Sequence, residues 1–413
     1  MKNKRHYILI FSFLCAISLQ AQQPKGKDKS QSQPKQNGYY QNTVQKGAEE
    51  FQLKQNPITE NKVYTLDFSS YKIPNDVKGY NPLWHNAPLN QGITGTCWCF
   101  AGTSFIESEI FRQSGKKIKL SEMYIVYQEY LERARYFVQK RGDVYLGEGS
   151  ESNAVVREMK LHGAMPAQIY TGLLPGQTVY DHKAMFQSIK TYLESVKRDQ
   201  IWNEKLVIET VKGILNQFMG EPPASFVWEG KIYSPESFVK DYLQIKLNEY
   251  FSFMSTKGIP FNQKGLLDEP DNWWKSKDYY NVNLSDYFDL IVRSLDSGYS
   301  VAICGDVSEP GYNSRSKAGI IPDFDIPSEY INDESRYFRL QNETTSDDHC
   351  IHLIGYRKVE NEYWFLIKDS GSGAFDIDEK GYRFLHQDYI KLKMINILIH
   401  KNVAAKILNK IIK

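Results

Sequence analysis

The chain has 413 residues, 41% of them hydrophobic and 14% aromatic, which is ample for a core in one large domain or two ordinary ones. Its formal charge of +2 falls to −1 without Lys2, Lys4 and Arg5, which leaves no basic excess for a nucleic-acid partner. Beyond residue 21 no run of about 18 apolar residues occurs, so no membrane-spanning helix is expected.

Lys2, Lys4, Arg5 and His6 precede an apolar run over 7–19, and Ala21 then meets a polar stretch. This is the pattern of a secretory signal peptide over 1–21, and it predicts a periplasmic or secreted protein. The bulky Leu14 before Cys15 argues against a lipid anchor. Residues 22–37 contain no bulky apolar side chain and cannot offset their ordering entropy, so 22–62 reads as a polar, disordered linker. The folded domain is expected over 63–400, followed by a tail over 401–413.

Helices follow from caps and periodicity. Trp98, Ala101, Phe105, Ile106 and Ile110 share one face of a helix that begins at or next to Cys97. Ser121 caps a second, Ser152 opens a third that Gly163 closes, and 181–199 forms a fourth. Val207, Val211, Ile214 and Phe218 line a fifth, stopped by Gly220. Ser234-Pro235 is a cap with proline in the first turn, and 285–295 ends at Gly298. The pattern then changes: 299–304, 350–355, 364–367 and 390–399 read as strands. Helices first and strands later predict an α+β fold. In the tail, Val403, Ile407, Leu408 and Ile411 fit a short amphipathic helix, and a frayed end fits equally.

Chemistry concentrates in Asn90-Gln91-Gly92-Ile93-Thr94-Gly95-Thr96-Cys97-Trp98. A loop of glycines and threonines delivers a cysteine to a helix N-terminus, where unpaired N–H groups favour a thiolate. A thiolate nucleophile needs a histidine partner, and an amide donor such as Gln91 can bind an oxyanion. Among the histidines, His349 stands out in Asp347-Asp348-His349-Cys350-Ile351-His352, which enters an apolar strand. The next strand ends at Asp369, placed to accept the ring N–H and orient it. Strand alternation separates His349 from His352, so no metal site is expected there. No cofactor is called for. Of the four cysteines beyond residue 21, Cys97 and Cys99 are too close in sequence to pair readily; the state of Cys99, Cys304 and Cys350 stays open.

These residues resemble the papain-like cysteine peptidases, in particular the bleomycin hydrolase/aminopeptidase C branch. Thr94-Gly95-Thr96-Cys97-Trp98 keeps the Gly, Cys and Trp of the family's cysteine signature, with Thr94 where papain has a disulfide cysteine. Leu120-Ser121-Glu122, Gly298-Tyr299-Ser300-Val301 and Thr344-Thr345-Ser346-Asp347-Asp348-His349 resemble segments of that branch. The stretch from Cys97 to His349 exceeds papain's ~130–150 residues by roughly 100. The resemblance assigns the excess to a large helical insertion over about 166–280. It implies a two-lobe fold, a helical lobe beside a β-rich lobe, with peptide bound between them. It implies Cys97 as nucleophile, His349 as base and acid, Gln91 as oxyanion donor, and Asp369 where the family usually has asparagine. Gly149 and Ser150 fall near the glycine pair whose backbone holds an extended peptide.

Two departures stand out. Asp369-Ser370-Gly371-Ser372 replaces Asn-Ser-Trp-Gly, which removes a tryptophan shield. Glu148-Gly149-Ser150-Glu151 keeps only half of the glycine pair. In the branch the chain end lies in the cleft and its carboxylate receives the substrate amine; ring-shaped homo-oligomers are implied by the resemblance alone. The expected function is a secreted cysteine peptidase acting on peptides, an aminopeptidase, with an endopeptidase or a non-catalytic peptide-binding relative as alternatives.

Overall fold

The computed structural model describes residues 66–313, 317–376 and 378–411. The expected signal peptide over 1–21 and the whole of the expected linker over 22–62 lie outside the described residues.

The amino-terminal half is helical. Helix α1 (Cys97–Ser114) is followed by α2 (Glu122–Gln139), α3 (Ser152–His162), α4 (Lys183–Arg198) and α5 (Glu204–Met219). Their starts follow local chemistry: the Ser121 and Asn203 side chains accept from backbone N–H groups of the first turn. Gly115, Gly163 and Gly220 end helices at positive φ. Helix α1 is the central strut. Trp98, Phe105, Ile106 and Ile110 are buried in the helical core. It crosses α3 so closely that a Cβ at Gly102 would sit 2.6 Å from Val155 Cγ2 and 2.7 Å from the Ser152 carbonyl.

The expected insertion over 166–280 is only partly helical. After α5 come a hairpin of β1 (Phe226–Trp228) and β2 (Lys231–Tyr233), a capping box at Ser234 with Pro235 at the first helical position, and strands β3 (Tyr250–Met254), β4 (Gln263–Gly265) and β5 (Tyr279–Asn281). Strands β3 to β5 extend the main sheet. Three-residue strands such as β4 and β5 are too short to show alternation, so periodicity does not reveal them.

Helix α6 (Leu284–Asp296), β6 (Val301–Gly305), β7 (Tyr312–Asn313), β8 (Ala318–Gly319) and α7 (Asp333–Gln341) lead to the long pair β9 (His349–Val359) and β10 (Glu362–Lys368). Strand β11 (Tyr382–His386), α8 (Gln387–Lys393), β12 (Met394–His400) and α9 (Lys401–Ile411) complete the chain. The segment expected as one strand over 390–399 therefore divides: its first residues belong to α8 and only 394–400 to β12. The apolar run is continuous because both elements are buried, and continuous burial erases the period that would separate them.

The ten-stranded mixed sheet has the order β4-β5-β3-β12-β6-β9-β10-β11-β8-β7. Alternate residues of β6, β9 and β12 enter two different cores. Ala302, Cys304, Cys350 and Leu398 join the helical core of α1 to α3. Val301, Ile303, Ile351, Leu353, Ile397 and Ile399 join a second core with α6 and α9. Cys304 and Cys350 stand opposite each other on β6 and β9 and form a disulfide. Among the described residues no helix is long and apolar enough to cross a membrane.

The disulfide closes a loop of sequence separation 46. Reducing it, or replacing both cysteines by alanine, should lower the unfolding free energy by about 2–4 kcal/mol. Denaturant titration with and without reductant measures this, and an unchanged midpoint would show the bond to be dispensable.

Candidate active site

Cys97 is the first residue of α1, and no side chain caps that helix. Its first N–H groups therefore keep their positive end toward the sulfur. Cys97 is partly exposed, whereas Cys99 is buried with its sulfur against the Glu122 carbonyl at 3.2 Å. Burial pushes the Cys99 thiol well up.

Strands β9 and β10 bring His349 to Asp369. His349 Nε2 lies 2.8 Å from Asp369 Oδ1. That leaves Nδ1 for the Cys97 sulfur, which is near enough to the ring to favour its charged form. Burial disfavours the charged ring, but the Asp369 carboxylate and Cys97 outweigh it and hold the imidazole protonated well above its usual range. His352 sits apart, its Nδ1 2.9 Å from Ser104 Oγ.

Asp369 is 3% exposed and has more partners than the sequence disclosed. Oδ1 also accepts from the Gly371 N–H at 2.8 Å. Oδ2 accepts from Arg383 Nε at 3.0 Å and from the Tyr312 hydroxyl at 3.1 Å. Burial works to raise this carboxyl's pKa, yet His349, Arg383 and the Gly371 N–H hold it far below the usual carboxylate range. The Arg383 guanidinium lies 4.9 Å from the Tyr312 ring centre. Tyr312 and Arg383 thus enclose the carboxylate on one side, while Gly371 stands where the family's tryptophan would be. Arg383 had a signal: it is a buried charge on a strand, flanked by Phe384 and Leu385. Tyr312, on a two-residue strand, had none.

Gln91 is buried, and its amide is fixed at both ends. Oε1 accepts from Ser370 Oγ at 2.7 Å, and Nε2 donates to the Thr94 carbonyl at 2.6 Å. One N–H of the amide remains beyond that bond. The Gln91 N–H also donates to the Ser370 carbonyl at 2.9 Å, and Ser372 Oγ to the Gly92 carbonyl at 3.1 Å. The loop before Cys97 is therefore zipped to the turn after Asp369.

Gly149 and Ser150 flank the same loop, because Glu148 accepts the Gly95 N–H at 2.8 Å. The Ser150 hydroxyl, however, turns inward to Glu129 Oε1 at 2.7 Å, and Arg133 donates to the Gly147 and Gly149 carbonyls. Any peptide contact at Ser150 is left to its backbone.

Asparagine at 369 would satisfy the imidazole but leave the buried Arg383 without that counter-charge. Asp369→Asn should therefore cost about 3 kcal/mol of stability, most of it returned when Arg383→Met accompanies it. Thermal unfolding of the single and double variants decides; equal stability of wild type and Asp369→Asn would remove Arg383 from the argument.

No known family model matches the chain. Aminopeptidase C of Lactococcus lactis is 19% identical over 356 residues, covering 77% of this chain and 81% of the relative. Aminopeptidase C of Listeria innocua is 24% identical over 366 residues, covering 77% and 80%. The solved structure of PepW from Lactobacillus rhamnosis matches 90% of this chain and 92% of its own, with a TM-score of 0.62 at 17% identity. The α+β, two-lobe fold is thus a papain-like one, and over most of its length the chain is similar to cysteine peptidases of the aminopeptidase C kind.

Proposed function

We propose that the protein hydrolyses peptide bonds from the free amino end, outside the cytoplasm, through an acyl-enzyme on Cys97. The observation that carries this reading is the bond of His349 to Asp369, with Cys97 near enough to the ring to favour its charge. The Cys97 thiolate attacks the scissile carbonyl, and the tetrahedral oxyanion faces the Gln91 amide and the N–H groups at the start of α1. The His349 imidazolium gives its proton to the leaving amine. The neutral ring then takes a proton from water, which hydrolyses the thioester and frees Cys97. Asp369 keeps the ring oriented throughout.

Two relatives named aminopeptidase C favour exopeptidase action. The tail offers no direct support for a gate at the chain end. Lys401–Ile411 is a helix whose Val403, Ala404, Ile407 and Leu408 pack with α6 in the second core. Export is favoured by the signal pattern over 1–21 and by the Cys304–Cys350 disulfide, since such bonds persist in oxidising compartments.

Cys97→Ala should abolish hydrolysis of aminoacyl and dipeptidyl reporters while leaving the circular dichroism spectrum unchanged. A thiol-directed epoxide should label Cys97 alone, as read by peptide mass spectrometry. Hydrolysis surviving in Cys97→Ala would refute the mechanism.

The pH dependence follows from the sign of the histidine shift. A protonated ring is needed, and its folded value is raised, so the charged pair survives above the ordinary histidine value of 6.5. The alkaline limb of kcat/KM should thus lie well above pH 6.5. In Asp369→Ala it should move down toward that value, with kcat/KM lowered by about 10- to 100-fold. An alkaline limb at the same pH in both proteins would show that Asp369 does not hold the charge on His349.

A further inference from the structure

A group of carboxylates that the hydrolytic step leaves unused gathers around Gly149 and the segment before His349. Glu151 follows Gly149 by two residues, and Asp347 precedes His349 by two. Glu151 is fully buried. Its Oε2 accepts from Asn396 Nδ2 at 2.9 Å, and the same nitrogen donates to Asp347 Oδ2 at 2.9 Å. Its Oε1 has no hydrogen-bond donor. The Glu269 carboxylate lies beside the Asp347 backbone N–H, which works to lower its pKa. Asp271 closes on the peptide-binding segment: a Cβ at Gly149 would lie 2.2 Å from Asp271 Oδ2. The Tyr279 hydroxyl is fully buried and lies within the field of Glu151 and Asp347. Asp347, Glu269 and Asp271 are half-buried, so Glu151, Tyr279 and Asn396 form a floor beneath an accessible rim.

The charges here do not balance. Arg133 is 3.8 Å from Glu129 and donates to the Gly147 and Gly149 carbonyls; it offsets Asp271 only in part. Arg157 pairs with Glu129 and Glu158. Among the described residues no lysine, arginine or histidine forms an ion pair with Glu151, Asp347 or Glu269. Burial and mutual repulsion raise Glu151 to about 8 and Glu269 to about 7, and Asp347 well above its usual range.

A buried carboxylate oxygen with an unfilled acceptor site, such as Glu151 Oε1, is satisfied by a cation that brings several N–H donors. A metal ion fits less well. Among the described residues these carboxylates do not bring three oxygens within 4.8 Å of one another; the group that comes so close is Glu151 with Cys304 and Cys350, whose sulfurs are bonded together.

We propose that Glu151, Asp347, Glu269 and Asp271 form a pocket beside the scissile position that receives an ammonium or guanidinium group of the peptide, its free α-amine or a lysine or arginine side chain. The identity of the ligand rests on the peptidase reading; the pocket itself does not. It also gives an amine a binding site while Lys401–Ile411 is docked elsewhere.

The test compares kcat/KM for paired reporters: a free-amine dipeptide against its N-acetylated form, and N-acetyl peptides carrying lysine or arginine against norleucine next to the cleaved residue. At least one cationic member should be favoured by about 10-fold or more, and Glu151→Gln and Asp347→Asn should each cut that ratio by about 10-fold. Preference for the free amine assigns the α-amine; preference for lysine or arginine assigns the side chain. Equal rates in the wild type, or a ratio that survives both substitutions, would overturn the pocket. Should Glu151→Gln fail to fold by circular dichroism, Asp271→Asn takes its place. If no reporter is cleaved at all, the peptidase reading fails separately. Calorimetry of lysinamide with the Cys97→Ala protein then decides the pocket: binding weakened by Glu151→Gln supports it, and no binding overturns it. Stoichiometric calcium uptake lost in Glu151→Gln would also overturn it, in favour of a metal site.

Discussion

Everything at this site depends on one buried carboxylate. Asp369 sits almost out of water, where a lone negative charge is costly, and it is kept ionised by groups on both oxygens. His349 and the Gly371 N–H hold one oxygen; Arg383 and Tyr312 hold the other. The proton on His349 is stabilised in turn by that carboxylate and by the Cys97 sulfur. Three elements far apart in sequence, the start of α1, the start of β9 and the turn after β10, are thereby coupled by charge. The Gln91–Ser370 bonds lock the approach loop to the same turn, so the Gln91 amide and the histidine's orienting group are held by one set of bonds.

The family's tryptophan gives its hydrogen-bonded pair an apolar cover. Here Gly371 leaves that position small, and an ionic answer replaces the apolar one. A carboxylate accepts more hydrogen bonds than an amide oxygen does, and Arg383 with Tyr312 uses that capacity. The change from asparagine to aspartate and the loss of tryptophan therefore read as one linked departure.

Charge is arranged differently a few residues away. Around Asp369 each negative oxygen has a positive or polar partner. Around Glu151 and Asp347 the negative charges outnumber their partners, and only Asn396 bridges them. A compensated cluster rigidifies, whereas an uncompensated one that opens to solvent is suited to a charge arriving from outside. The same short segments, 147–151 and 347–349, carry both the substrate-facing backbone and this excess of acid.

Much of this was legible from local signals. The cysteine at a helix start, the caps at Ser121 and Ser234, the stops at Gly163 and Gly220, and the histidine entering an apolar strand depend on interactions within a few residues, so sequence alone determined them. In the tail the spacing of Val403, Ile407 and Leu408 fitted a helix and a frayed end alike, and packing against α6 decides for the helix. What only the tertiary structure decided involves partners with large sequence separation. Arg383 and Tyr312 reach Asp369 through neighbouring strands, Asn396 joins Glu151 to Asp347, and Cys304 meets Cys350 because β6 pairs with β9. The split of 390–399 into α8 and β12, and the sheet strands within 166–280, belong to the same class. Burial on all sides removes the period by which an element announces itself, and which charge stands beside which is set by strand order, which no local pattern records.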